Sequence, residues 1–210
     1  MANKSLQHSS LTDNIFYRSM LAGNDAYFPE FESDDFLEEV VLTSSASSVT
    51  FSGLGAYSDY KHLQIRYTAR GVDSTSTVTN NGFNFYINAD TGSSYTYHRL
   101  KGDGSAVSAS GNSSPLSRGN AGRLLSSGAT AGAFSSGVVD ILDFNSVSKF
   151  KTIRTLSGHS DPSVGSGTLI NFDSVAWLNT DAITSLLFNA QTGSADLAAF
   201  SRLSLYGSKA

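Results

Sequence analysis

From Leu37 onward, apolar and polar positions alternate in short runs rich in Val, Ile, Thr, Phe and Tyr, and clusters of Gly, Asn, Asp and Ser separate the runs. A period of two marks a strand with one buried face, and this spacing is that of an antiparallel sandwich or barrel, not of βαβ units. The clearest run is His62 to Arg70: Leu63, Ile65, Tyr67 and Ala69 share one face, while His62, Gln64, Arg66, Thr68 and Arg70 share a wet one. Phe83, Phe85 and Ile87 alternate with Asn84, Tyr86 and Asn88 in the same way. The run ends at Asn88 to Gly92, a turn with a glycine available for positive φ, and Tyr95 to Leu100 is predicted to return as its partner. Further strands are predicted at Glu39 to Thr43, Ser48 to Gly53, Gly137 to Phe144, Phe150 to Ser157, Thr168 to Leu178, Ile183 to Asn189 and Phe200 to Tyr206. Roughly nine or ten strands suffice for two packed sheets.

Two segments depart from this texture. Between Gly102 and Gly132 there is little apolar periodicity except around Leu116 and Leu124-Leu125, which predicts a long surface loop carrying at most one edge strand, or a contact loop. The second is the leader, residues 1–38, ahead of a domain at 39–210. Leu11, Ile15, Phe16, Met20 and Leu21 are spaced as one face of a short helix, with Thr12 or Asp13 as N-cap and Gly23 as stop. Tyr27, Phe28, Phe31 and Phe36 follow, too apolar for a solvated tail and too few to build a core. They need a surface, either on the body of the same chain or on a neighbouring subunit or larger assembly.

Charge sharpens the division. Through Glu39 the chain has eight carboxylates against Lys4 and Arg18, a net of −6, whereas all 210 residues carry −4, so the body is slightly positive. That excess is scattered and forms no basic run, which argues against nucleic-acid binding. No stretch has the length and apolarity of a signal peptide or membrane span. There is no cysteine, so neither a disulfide framework nor a thiolate metal site is expected.

Candidate chemistry is sparse. Asp90-Thr91-Gly92-Ser93 matches an aspartic-protease loop, but it occurs once, and a hairpin turn accounts for its glycine. His8, His62, His98 and His159 form no H-x-H or H-E-x-x-H pair, and Gly158-His159-Ser160-Asp161-Pro162 is a predicted turn, not a nucleophile elbow. Asp103 between glycines, and Asp140 with Asp143, lack the ligand spacing of a calcium loop. No cofactor, metal or catalytic residue is assigned. Tyr86, Tyr95, Tyr97 and Trp177 would suit a sugar if exposed; whether the Tyr95, Tyr97, Arg99 face or the Thr96, His98, Leu100 face is core stays open.

The runs Ser48 to Leu54, Tyr60 to Arg70, Phe85 to Asp90 and Tyr95 to Gly104 resemble virion structural proteins of tailed bacteriophages. So do Gly137 to Phe144, Lys149 to Arg154, Trp177 to Asn179 and Ile183 to Asn189, and the resemblance spans about 45 to 206. It implies an all-β, antiparallel, jelly-roll-like β-sandwich that trimerises, placed on the capsid as a decoration or cement protein or on the tail. With the extended N-terminal arm, the expectation is a non-enzymatic cement protein on the outer capsid surface, bound to the major capsid protein and to itself. Phe16, Tyr17, Tyr27, Phe28 and Phe31 would be anchors, and Glu30, Glu32, Asp34 and Asp35 would face basic patches on the partner. The alternative is a tail fibre or receptor- or carbohydrate-binding tail protein, with residues 102–132 and Tyr95 or Tyr97 as contacts. A fibre would be expected to open with a long heptad run, and none is visible.

Overall fold

A computed structural model describes residues 34–73, 80–161, 168–191 and 195–209. Asp34 to Ala210 form one compact unit, and the helix expected near residues 11–23 lies outside the described residues. The body is all-β and antiparallel. One eight-stranded sheet runs in the order β1 (Asp35–Val41), β14 (Arg202–Ser208), β3 (His62–Ala69), β9 (Ser135–Ile141), β10 (Lys151–Ser160), β11 (Thr168–Trp177), β6 (Tyr95–Gly102) and β7 (Val107–Gly111). A four-stranded sheet, β2 (Val49–Ser52), β12 (Ser185–Ala190), β5 (Asn80–Ile87) and β8 (Gly119–Leu125), lies against it. A two-residue ribbon joins β13 (Asp196–Leu197) to β4 (Gly71–Val72). Among the described residues no helix is long and apolar enough to cross a membrane.

The core follows from the period-two pattern. Leu63, Ile65, Tyr67 and Ala69 of β3 point inward, as their alternation predicts, and meet Phe51, Phe83, Phe85 and Phe188 of the small sheet. Phe188 sits at the centre, with ring centroids 5.6 Å from Phe83, 6.3 Å from Phe85 and 6.4 Å from Phe51. Such offset and edge contacts add to the burial of each ring.

Two expectations about the turn after Ile87 fail. The strand β5 does not pair with β6: β5 lies between β12 and β8 in the small sheet, while β6 lies between β11 and β7 in the large one. The connection therefore crosses between sheets. The positive φ falls on Asn88 (51°) and Ala89 (56°), not on Gly92. Asn88 is held by Thr184 N at 2.7 Å and Ser185 N at 3.1 Å, both donating to its Oδ1, and Tyr95 spans the gap by accepting at its hydroxyl from Ile87 N at 2.9 Å. A local turn signal cannot report this, because the deciding contacts come from β12.

The tract 102–132 is not one long loop. It contains β7 and β8, and β8 is largely buried because Gly119 and Gly122 let it lie close to both sheets. A Cβ on Gly119 would stand 2.1 Å from the Phe85 ring, and one on Gly122 2.2 Å from Ser157 Oγ. The string Gly158 to Ser160 is likewise no turn; it completes β10 and pairs with Thr168 to Ile170.

Phe188→Ala should cost about 3–5 kcal/mol by removing a fully buried ring shared by three others. Urea unfolding of residues 34–210 measures it, and a loss under about 1 kcal/mol would mean that the aromatic cluster does not organise the core.

Candidate binding surface

Registers across the large sheet place Val138, Leu156, Phe172, Leu100 and Ala109 side by side on strands β9, β10, β11, β6 and β7. Directly opposed residues point to the same face, and this row faces away from the small sheet. One step along the strands, Ile170 and Val107 extend it. Leu100, Leu156, Phe172 and Ile170 each keep 47–57% of their surface exposed, and Val107 keeps 75%. Four inter-strand steps make the row about 19 Å wide. Below Leu156 the side chains shrink, since Gly158 and Gly102 flank Ile170, and an open groove of ≈ 650 Å³ forms between Val138, Leu156 and Ile170.

The inner face of β10 and β11 is polar at mid-strand, while Ile153, Val175 and Trp177 keep one end of it apolar. Thr155, Ser157, Asn171 and Asp173 are all buried there, one residue out of step with the exposed Leu156, Ile170 and Phe172. Asp173 accepts from Arg99 Nε at 2.8 Å and from Thr155 Oγ1 at 3.4 Å. Burial pushes the Asp173 pKa up, only partly countered by Arg99 and Thr155. Burial, reinforced by the like charge of Arg99, lowers the pKa of Arg123 on β8. Asn171 is 1% exposed, and neither of its amide atoms has a hydrogen-bond partner. The polarity of the sheet is thus inverted over the middle of β10 and β11.

Toward β1 the outer face has ordinary polarity. Arg66 pairs with Asp34 and lies 4.2 Å from the centroid of Tyr206, Gln64 donates to Asp140 at 2.7 Å, and Arg202 Nη1 is 3.7 Å from Glu39. Asp35 accepts from the Tyr60 hydroxyl at 2.9 Å and lies 3.7 Å from Lys209 Nζ. Asp34 and Asp35 are therefore engaged by their own body, while Phe16, Tyr17, Tyr27, Phe28, Glu30, Phe31 and Glu32 lie outside the described residues.

The other sequence candidates resolve into structural roles. Tyr95, Tyr97 and Arg99 face inward, with Tyr95 fully buried and Leu100 on the exposed face, which settles the orientation left open for β6. Trp177 is buried and donates through Nε1 to Asp90 Oδ2 at 2.7 Å, so neither Tyr95 nor Trp177 presents a ring to a sugar. Burial works to raise the Asp90 pKa, but hydrogen bonds from Trp177, Gly92 and Ser94 outweigh it and hold the group charged. Asp103 accepts from Ala106 N and from the backbone and hydroxyl of Ser105, bonds that bring its pKa to about 2. Asp143 pairs with Lys149, and among the described residues no three His, Asp or Glu side chains cluster as metal ligands. No family model and no curated protein matches the chain.

Sequence reasoning missed the apolar row because β6, β9, β10 and β11 also have an apolar or aromatic residue on the other face. The available signal was Ile170 and Phe172 alternating with Asn171 and Asp173.

His159 ends this inner surface, with Nδ1 3.3 Å from Ser135 Oγ, and Asp161 accepts from Thr130 instead of completing a triad. Burial lowers the His159 pKa, aided by the Arg123 charge and opposed by an Arg123 backbone contact and by Asp161. The unfolded histidine, near 6.5, thus takes a proton before the folded one does, and stability falls as pH drops below about 6.5. Urea midpoints between pH 7.5 and 5 should fall more steeply for the parent than for His159→Gln; equal slopes would remove His159 as the source.

Proposed function

We propose that this chain is a non-enzymatic structural protein of a tailed-phage virion, a cement or decoration protein that clamps neighbouring major capsid subunits and stabilises the DNA-filled head. In this reading the sandwich is jelly-roll-like, the protein is a homotrimer on the outer capsid surface, and the leader reaches the shell. The observation that carries the reading is the contiguous apolar row on the outside of an otherwise well-packed sandwich. Isolated exposed apolar side chains are normal, but a patch spanning five strands marks a protein contact. The texture of residues 45 to 206 and the acidic, aromatic leader supply the rest.

The mechanism is thermodynamic. Weak contacts from one protomer add when protomers are joined, because the second and third engage at high effective concentration. A protein that binds the assembled shell better than its separated parts stabilises the shell by mass action. Since β1 begins at Asp35 and uses Asp35 to Val41 in pairing with β14, the leader is separable only up to Ser33.

Deleting residues 1–33 should leave the thermal midpoint of the body within a few degrees of the parent and weaken binding to expanded capsids at least about 100-fold, a loss of roughly 2.7 kcal/mol. Quantitative mass spectrometry of virions should give hundreds of copies per particle. Undiminished capsid binding by the truncated chain would defeat the arm's role, and a handful of copies would move the protein to the tail.

A further inference from the structure

We infer that the outer face of β9, β10, β11, β6 and β7 is buried against the same face of a second copy of this chain, with Leu156, Phe172, Leu100 and Ile170 at the centre of the contact. The inference rests on that reading for self-association and gives it a place on the molecule, but a face packed on the same face of a second copy is a two-fold contact, so it joins copies in pairs and replaces the trimer of that reading.

Three observations carry it. The first is the inversion of polarity. Along β11, Asn171 and Asp173 are fully buried while Ile170 and Phe172 stand outside, and along β10 Thr155 and Ser157 are buried while Leu156 stands outside. A strand that turns its polar residues into its own sandwich and its apolar ones out has a second apolar environment on the outer side.

The second is size and shape. The row offers on the order of 500 Å² of apolar surface, at the upper end for a monomer, so two copies would bury about 1,000 Å², the lower bound of a specific interface. Its width of about 19 Å exceeds the ~10 Å that one helix covers and the ~5 Å that one strand covers. A sheet face of matching breadth fills it, and sheets stack face to face at about 10 Å. The row is apolar from Val138 to Ala109, so it complements itself.

The third is the contrast between the two edges. β1 carries Glu38 and Glu39 and breaks register between Phe36 and Glu38, which are devices that block pairing with another chain. β7, Val107–Gly111, has no charge, proline or bulge and is exposed along its whole length. An edge without protection adjoins the apolar row and shares Val107 and Ala109 with it.

The test is the mass of the full chain in solution at about 20 µM, by sedimentation velocity. The parent is expected at a multiple of 22.2 kDa. Leu156→Asp combined with Phe172→Asp should give monomer, with the dissociation constant raised at least 100-fold. Both positions face solvent in the isolated subunit, so the variant should unfold at a temperature close to that of a monomeric parent at high dilution. Phe200→Asn removes an exposed ring outside the row and should leave the assembly intact. A monomeric parent overturns the inference. If that monomer assembles once residues 1–33 are removed, the leader is the occupant; if it stays monomeric, the face belongs to a different protein. A multimeric parent whose mass the double variant leaves unchanged also overturns it, because the copies then meet elsewhere. None of these results depends on copy number in virions, so failure here is separable from failure of the capsid assignment.

Discussion

The ion pair between Asp173 and Arg99, sealed under β8 with Arg123 beside it, is the constraint around which the rest of the large sheet is arranged. Burying a carboxylate is costly, and a buried pair holds together only when both partners are well bonded. Asp173 is fully enclosed and bonded on both oxygens, so β11 cannot turn that face to water without breaking Arg99 and Thr155 away from it. Because side chains alternate, fixing Asp173 inside fixes Ile170 and Phe172 outside. The exposed apolar row is the geometric consequence of the buried polar one.

The same constraint explains β8. The covering strand approaches this polar inner surface closely and contributes backbone to it, although the Asn171 amide still has no hydrogen-bond partner. Gly119 and Gly122 allow that approach, Tyr67 donates to the Ala121 carbonyl at 2.9 Å, and Arg123 supplies the long charged side chain that remains. In the sequence this composition looks like a loop. Glycine lowers strand propensity, and the period of two is interrupted where Gly119 and Gly122 have no side chain to compare. That is why residues 119–125 were illegible, whereas His62 to Ala69, with one wholly apolar face, was legible almost to the residue.

Most of the strands were readable, but their partners were not. The expected hairpin after Ile87 failed since a turn rich in Asn and Asp is compatible with both a return and a crossover, and the choice lies with Thr184, Ser185 and Trp177, far away in sequence. The orientation of β6 was undecidable for a related reason: Tyr95 and Tyr97 suggest a core face, Arg99 a wet one. Only the Asp173 partner makes Arg99 an inside residue. The binding surface was hidden by the same ambiguity, since it is built from the faces that look polar beside an aromatic neighbour.

An apolar face of this breadth changes how the acidic leader is to be understood. Charge on an arm steers and orients an encounter, but exposed ion pairs contribute little to holding it. The two leader-proximal carboxylates, Asp34 and Asp35, are already committed to Arg66, Tyr60 and Lys209, so they fasten the start of β1 to the body. In the proposed assembly, adhesion between bodies would fall to the apolar row, where the energy scales with area removed from water and is not screened by salt. In the proposed role on a shell under outward pressure, that division would let charge and aromatic anchors select the site while paired sandwiches supply the multivalency that keeps the weak contacts closed.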